Sequence, residues 1–249
     1  MDRAALDAAY NNSAAVAGSA QIVAEWRRRS EILRVSAKEL RYGSAERNRI
    51  DYFEAAPGAP LLVFIHGGYW QMREKETFGF LAAGPLAHGV SVALVGYTLA
   101  PEKRLDGIVA EVRAALDFLA RPLVVSGWSA GGHLTAMMMA HPNVRAGLAI
   151  SGIFDLEPIR LCYLNEKLGL DEQEVRRNSP ILTCSFQRPL VLAYGTGELP
   201  ELQRQSRDYA QRFGHRLLPL AGHDHFTILE ELASPRGVLT AAVRTLLDT

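Results

Sequence analysis

Leu123-Val124-Val125-Ser126-Gly127-Trp128-Ser129-Ala130-Gly131-Gly132-His133 is the stretch that decides the fold. A strand over 123–126 runs into a helix over 130–140, and the turn between them reads G-x-S-x-G. A serine at so tight a strand-to-helix turn adopts a strained backbone, and side chains on its flanks would collide with neighbouring elements. Glycine at 127 and 131 avoids that collision. The turn lifts the Ser129 hydroxyl clear of a sheet and points the backbone N–H of Ala130 at a developing oxyanion.

The same rhythm extends outward in both directions. Upstream, Arg49–Phe53 alternates enough for a strand, and Ala56-Pro57-Gly58-Ala59-Pro60 is a turn. Leu61–Ile65 is a continuous apolar run, as expected of a strand covered on both faces. A helix is expected over 74–88, a strand over 90–95 and a helix over 101–120 with Pro101 in its first turn. Downstream a strand is expected over 146–150. Residues 155–187 break the rhythm with Pro158, Gly169 and Pro180 and read as a small cap insertion. A strand over 190–194, a helix near 201–213, a strand at Arg216–Leu220 and a last helix over 226–247 complete the chain. Two helices, over 4–10 and 15–35, make an N-terminal helical segment that ends by residue 36. Strands alternating with helices predict a single α/β domain over 1–249, with a mostly parallel sheet flanked by helices. Ligands bind beyond the carboxyl ends of such strands. The loops after Ile65, Ser126, Ile150, Tyr194 and Leu220 should therefore share one rim.

Composition narrows the function. Of 249 residues 48% are apolar, and 27 basic residues balance 27 acidic ones. A net charge of zero supplies no field to attract nucleic acid or an anionic membrane. Arg27, Arg28 and Arg29 are the densest basic run and read as a solvated helix face. Two cysteines, Cys162 and Cys184, make no disulfide framework and point to a reducing, cytoplasmic compartment. Residues 1–10 lack the apolar core of a signal peptide, and no apolar stretch reaches the ~18–20 residues of a membrane helix. Nothing in the sequence sets the oligomeric state, which leaves room for a homodimer.

His66-Gly67-Gly68-Tyr69-Trp70 follows the strand Leu61–Ile65, where this fold class places the second half of an oxyanion hole. The N–H groups of Gly68 and Tyr69 are the expected donors, with Gly67 shaping the turn; His66 reads as structural. Ser129 needs a base, and the chain order is serine, then acid, then histidine. His133 and His141 lie on the helix after the serine, and His215 precedes its strand at the wrong end of the sheet. His223 and His225, in the loop after the final strand, remain, and periodicity does not separate them. In Gly195-Thr196-Gly197-Glu198 the acid is expected at Glu198, with Glu201 and Asp224 as rivals. Glu201 suits a helix N-terminus, and Asp224 could orient the histidine loop. His223-Asp224-His225 has no partner cluster with metal-ligand spacing. The glycines of 127–132 lack the lysine of a phosphate loop and the spacing of a dinucleotide loop. Neither a metal nor an organic cofactor is expected. Met137, Met138 and Met139 read as core filling.

With these residues in hand, the chain resembles the kynurenine formamidase (arylformamidase) branch of the α/β-hydrolases. The resemblance spans Tyr42-Gly43 to Asp51-Tyr52-Phe53, the segment from His66 to Gln71, and Tyr97 with Leu99-Ala100-Pro101. It continues through 127–133, Ser151-Gly152-Ile153-Phe154-Asp155-Leu156, Asn178-Ser179-Pro180, Pro200-Glu201-Leu202, Arg204-Gln205-Ser206 and His225-Phe226. It implies an α/β-hydrolase fold with Ser129, Glu198 and His225 as a triad, and it favours His225 over His223. One departure is that typical members carry aspartate where this chain has Glu198. The implied activity is hydrolysis of a small amide or ester through an acyl-serine, with N-formylkynurenine or a related aryl formamide as substrate. A short-chain or aryl carboxylesterase would use the same residues. A non-catalytic binding protein of this fold would be expected to lack a triad member. Tyr69, Trp70, Trp128 and Phe154, with Tyr163 and Phe226, are candidates for an aromatic substrate pocket.

Overall fold

A computed structural model describes residues 1–248. Among them eight strands form one sheet: β1 (Lys38–Arg41), β2 (Arg49–Phe53), β3 (Leu61–Ile65), β4 (Ser91–Val95), β5 (Leu123–Trp128), β6 (Val144–Ile150), β7 (Leu190–Gly195) and β8 (Arg216–Leu220). Their order is β1-β2-β4-β3-β5-β6-β7-β8. β2 runs against both its neighbours, and β3 to β8 are mutually parallel. The apolar run of β3 alternates by face. Leu61, Val63 and Ile65 join one core, whereas Leu62 and Phe64 join the other. This period of two buries every β3 residue and explains why the strand carries no polar position.

The strand order places the site. From β3 the chain steps out to β4 and then returns to β5 on the other side of β3. The loops leaving β3 and β5 therefore part at a switch point, beyond adjacent carboxyl ends. Those are the glycine loop at Gly67 and the serine turn at Ser129.

Three expectations are corrected and one strand is added. β1 was not foreseen: its residues, Lys-Glu-Leu-Arg, are largely exposed at the sheet edge and carry no apolar alternation to announce a strand. The helix expected over 101–120 is Leu105–Leu119, so Pro101 lies in the preceding turn rather than in its first turn. The helix expected over 74–88 is a 3₁₀ stretch, Lys75–Ala82, followed by the short helix Ala83–Leu86. The last helix is interrupted. Thr227–Leu229 and Glu230–Ala233 precede Val238–Leu247, and the break falls at Ser234-Pro235-Arg236-Gly237, where proline cannot supply a helical N–H.

The N-terminal segment holds helices Arg3–Ala9, Asn12–Ala15 and Ser19–Arg34. Residues 155–187 hold the short helices Glu157–Arg160, Asn165–Leu168, Glu172–Asn178 and Pro180–Thr183. Buried side chains lock the two segments together. Gln205, on the helix Pro200–Phe213, accepts through Oε1 from the N–H groups of Phe154 and Asp155, both at 2.7 Å. Its Nε2 donates to the Tyr10 hydroxyl and the Asp155 carbonyl, both at 2.9 Å. Asp7 Oδ1 accepts from the Tyr163 N–H at 2.7 Å. Among the described residues no helix is long and apolar enough to cross a membrane.

Gln205→Leu would leave two buried N–H groups without an acceptor, at about 1–3 kcal/mol each, partly relieved by relaxation. Urea unfolding of this variant should show a loss of about 2–4 kcal/mol. A loss below about 0.5 kcal/mol would show that the clasp adds little.

Candidate functional site

The serine turn is held by backbone packing. Ser129 has φ 58° and ψ −119°, an unusual conformation for a non-glycine residue. Its N–H donates to the Ile150 carbonyl at 2.8 Å, and its carbonyl accepts from the His133 N–H at 3.1 Å. A Cβ on Gly131 would lie 1.9 Å from the Ile65 carbonyl oxygen, and one on Gly127 would lie 2.3 Å from the Gly131 carbonyl. The turn thus presses on the end of β3, and only glycine fits between them.

The loop after β3 answers it. Gly68, Tyr69 and Trp70 have φ values of 116°, 50° and 58°, a run of three left-handed residues. The Gly68 carbonyl accepts from the N–H groups of Gln71 and Met72 at 3.1 and 3.0 Å, which closes the turn. A Cβ on Gly67 would lie 2.6 Å from the Trp128 ring and 3.0 Å from the Ser129 Cβ. This glycine therefore sits directly against the serine turn. Among the described residues the N–H groups of Gly68, Tyr69 and Ala130 donate to no protein acceptor.

His225 and Glu198 meet at the same rim. His225 Nδ1 lies 3.0 Å from Glu198 Oε2, and the Glu198 side chain is wholly buried. Glu198 Oε1 accepts from the Ser151 hydroxyl at 2.6 Å and from the Gly195 N–H at 2.7 Å. Three donors thus fix one carboxylate. Trp128 Nε1 donates to the His225 carbonyl at 2.7 Å, tying the histidine loop to the residue before the serine. The rivals lie elsewhere. His223 Nε2 is 3.3 Å from Glu231 Oε1. Glu201 pairs with Arg204 at 2.8 Å. Asp224 Oδ1 caps the N–H groups of Phe226 and Thr227 at 2.8 and 2.9 Å, so it shapes the loop.

Ser129 and His225 line one cavity of ≈ 40 Å³ with Gly68, Tyr69, Trp128 and Phe226. Met72 and Arg73 contribute from the loop after β3, Tyr163 from the cap segment, and Asn11, Asn12 and Ser13 from the N-terminus. A larger cavity of ≈ 500 Å³ lies at the amino ends of β7 and β8, lined by Leu190, Val191 and Arg216. That is the rim opposite the serine, where this architecture does not build active sites.

A family model described as the alpha/beta hydrolase fold matches residues 62–217. The chain is 31% identical over 230 residues to the kynurenine formamidase of Danio rerio, covering 81% of this chain and 78% of the relative. It is 34% identical over 221 residues to that of Salmo salar, covering 77% and 75%. The chain belongs to the α/β-hydrolase family, in its kynurenine formamidase-like branch. Among solved structures, a candidate thioesterase from Silicibacter sp. TM1040 superposes on this α/β-hydrolase with a TM-score of 0.91 at 31% identity, covering 96% of this chain and 98% of that one. An esterase of Pyrobaculum calidifontis superposes with a TM-score of 0.74 at 17% identity, covering 92% of each chain, and shares the fold.

Two expected pocket residues of this hydrolase lie outside the cavity. Trp70 is fully buried and donates through Nε1 to His133 Nδ1 at 3.2 Å. Phe154 is fully buried and stacks on Tyr209 with ring centroids 4.4 Å apart. Both fill the core because their loops turn the rings inward. Sequence reading also passed over Ser151, whose hydroxyl holds Glu198. It passed over Tyr10 and Asn12 as well: the Tyr69 hydroxyl donates to the Tyr10 carbonyl at 2.7 Å and accepts from Asn12 Nδ2 at 2.9 Å. No motif signals these, since the pairs are 57 and 59 residues apart.

Two buried histidines brace the site in neutral form. His66 donates from Nδ1 to the Gly67 carbonyl at 2.8 Å and stacks on Tyr97 at 4.2 Å. Burial pushes its pKa down to about 3. His133, between Trp70 and the Asn178 carbonyl, is pushed down to about 4, again by burial. The unfolded chain binds protons near 6.5 that the folded chain refuses. Their stabilisation is therefore complete above that pH and falls away as pH drops toward 4, by about 1.4 kcal/mol per unit for each histidine. Urea unfolding at pH 7.5 and pH 5 should differ by about 4 kcal/mol from these two groups. An unfolding free energy that does not fall across that interval would contradict their neutrality.

Proposed function

We propose that this α/β-hydrolase cleaves an aryl formamide such as N-formylkynurenine by nucleophilic catalysis at Ser129. His225 takes the hydroxyl proton as Ser129 attacks the formyl carbon, and Glu198 holds the imidazole in the tautomer with Nδ1 protonated. The N–H groups of Gly68, Tyr69 and Ala130 receive the oxyanion, each such donor being typically worth about 3 kcal/mol in the transition state. His225 then protonates the leaving amine, and water releases formate from the serine by the same route. The observation that carries this reading is the 3.0 Å contact between Glu198 and His225, on the wall of the cavity that Ser129 shares. The cavity's ≈ 40 Å³ suits a one- or two-carbon acyl group. The two free cysteines suit a reducing cytoplasm. The same small acyl space also favours a second substrate class, short aryl esters.

The test is a side-by-side turnover assay with N-formylkynurenine and a series of p-nitrophenyl esters. A kcat/KM higher by several decades for the formamide is expected. Turnover of esters alone would replace the formamidase reading with the esterase one. Ser129→Ala should lose fluorophosphonate labelling and at least ~10⁴-fold in kcat, and Glu198→Gln should lose ~10³–10⁴-fold with the protein still folded. Glu198→Gln within tenfold of the parent would remove Glu198 from the mechanism.

A further inference from the structure

Arg73 lines the cavity that holds Ser129 and His225. Its guanidinium lies over two rings of that wall, 5.8 Å from the Trp128 centroid and 5.7 Å from that of Phe226. Its backbone is held at φ 73°, and its carbonyl accepts from the Arg47 guanidinium, so the residue is fixed at both ends. Yet the guanidinium forms no hydrogen bond or ion pair with any described residue. Other semi-buried cations of this chain behave differently: Lys75 pairs with Asp51 at 2.7 Å, and Arg34 pairs with Asp51 at 2.6 Å. A guanidinium with five donors, partly stripped of water and left without an anion, is costly unless something else supplies the anion.

The two rings offset part of that charge, but among the described residues no anion does. Burial and the like charge of Arg27 both push the Arg73 pKa down, to about 10, which still leaves it cationic at neutral pH. Arg27 itself is exposed on the helix Ser19–Arg34. Its neighbours are spoken for, Arg28 by Glu25 and Arg29 by Glu230, both at 2.8 Å, whereas Arg27 has no acidic partner among the described residues. Arg73 and Arg27 are thus two nearby cations without an acidic partner among the described residues, on a chain whose net charge is zero.

We infer that Arg73 is the anchor for a carboxylate on the substrate, so that the preferred substrates are amides or esters whose leaving group is anionic. The inference rests on Ser129 and His225 being the hydrolytic machinery, but not on the scissile bond being a formamide. Ser129 and Arg73 line the same cavity, of only ≈ 40 Å³, so a small acyl group sits at Ser129 and the carboxylate is assigned to the larger, leaving portion. Arg73 would hold it in a bidentate contact and orient the scissile carbonyl toward Ser129. Arg73 acts in this reading as a specificity determinant and takes no part in proton transfer.

The test uses two matched substrate pairs on the full chain: an aryl formamide bearing a carboxylate and its carboxamide analogue, and the corresponding aryl acetate pair. The readout is the ratio of kcat/KM for carboxylate over carboxamide. The parent protein should favour the carboxylate at least ~10-fold, less so as salt rises. Arg73→Gln should collapse the ratio by ~10–100-fold, chiefly through KM, and Arg73→Lys should keep part of it. Fluorophosphonate labelling of Ser129 reports whether each variant keeps an intact site. A parent ratio near one, or a ratio unchanged in Arg73→Gln, overturns the inference. If Arg73→Gln does not fold, the parent ratio and its salt dependence decide alone. Loss of formamide turnover with an Arg73-dependent ratio on the acetates would sink the formamidase reading and leave this one standing. Formamide turnover without charge preference would do the reverse.

Discussion

The close approach of the serine turn to the end of β3, where a side chain on Gly131 would meet the Ile65 carbonyl at 1.9 Å, couples the two halves of the site. Because backbone lies on backbone there, Ser129 cannot move independently of the glycine loop that follows Ile65. The same contact brings Gly67 against Trp128, and Trp128 in turn binds the His225 carbonyl. Three loops from distant parts of the chain are thereby set by one packing requirement. Its cost is local strain, visible as left-handed backbone at Ser129, Tyr69 and Trp70. The buried sheet beneath, which has few ways to relax, sustains that strain.

The acid shows how a longer side chain can serve a position that resembles an aspartate position elsewhere. Glu198 sits at the end of a turn closed by its own N–H to the Gly195 carbonyl at 3.1 Å. The extra methylene lets the carboxylate fold back over that turn and accept from the Gly195 N–H. Ser151, at φ 51° just beyond β6, holds the same oxygen. The other oxygen is then free to face only His225. A carboxylate so enclosed has little rotational freedom, which is what fixing an imidazole's orientation demands. The glycines at 195 and 197 allow the histidine loop to lie on this turn, since a Cβ on Gly195 would meet the His223 carbonyl at 2.2 Å.

Above the rim, the N-terminal helices and the cap segment form the remaining walls. Tyr10, Asn12 and Gln205 connect them through buried hydrogen bonds that link positions 57, 59 and 195 residues apart. Such polar links are worth little individually, yet leaving one unmade in a dry interior is expensive, so they act as registration pins. They set the size of the space beside Ser129, and the neutral histidines His66 and His133 stiffen the floor beneath it. Arg73, in this wall, has ring contacts but no anionic partner among the described residues, which turns a packing detail into a question of substrate charge.

The sequence by itself determined the α/β rhythm, the strands Leu61–Ile65 and Arg216–Leu220, the serine turn and the glycine loop after Ile65. These are local: apolar runs, glycine spacing and turn chemistry act over a few residues and leave a readable pattern. It narrowed the histidine to a pair and singled out Glu198 as the first of three acids, because chain order limits which loops share a rim. Only the tertiary structure decided that His225 faces Glu198 while His223 faces Glu231, that Ser151 completes the carboxylate's shell, and that Trp70 and Phe154 belong to the core rather than the cavity. The strand Lys38–Arg41 and the break before Val238 escaped for a related reason. An edge strand without apolar alternation and a helix cut by Ser-Pro-Arg-Gly are set by what packs beside them. Side-chain direction and long-range pairing depend on the whole fold, so no stretch of the chain carries them alone.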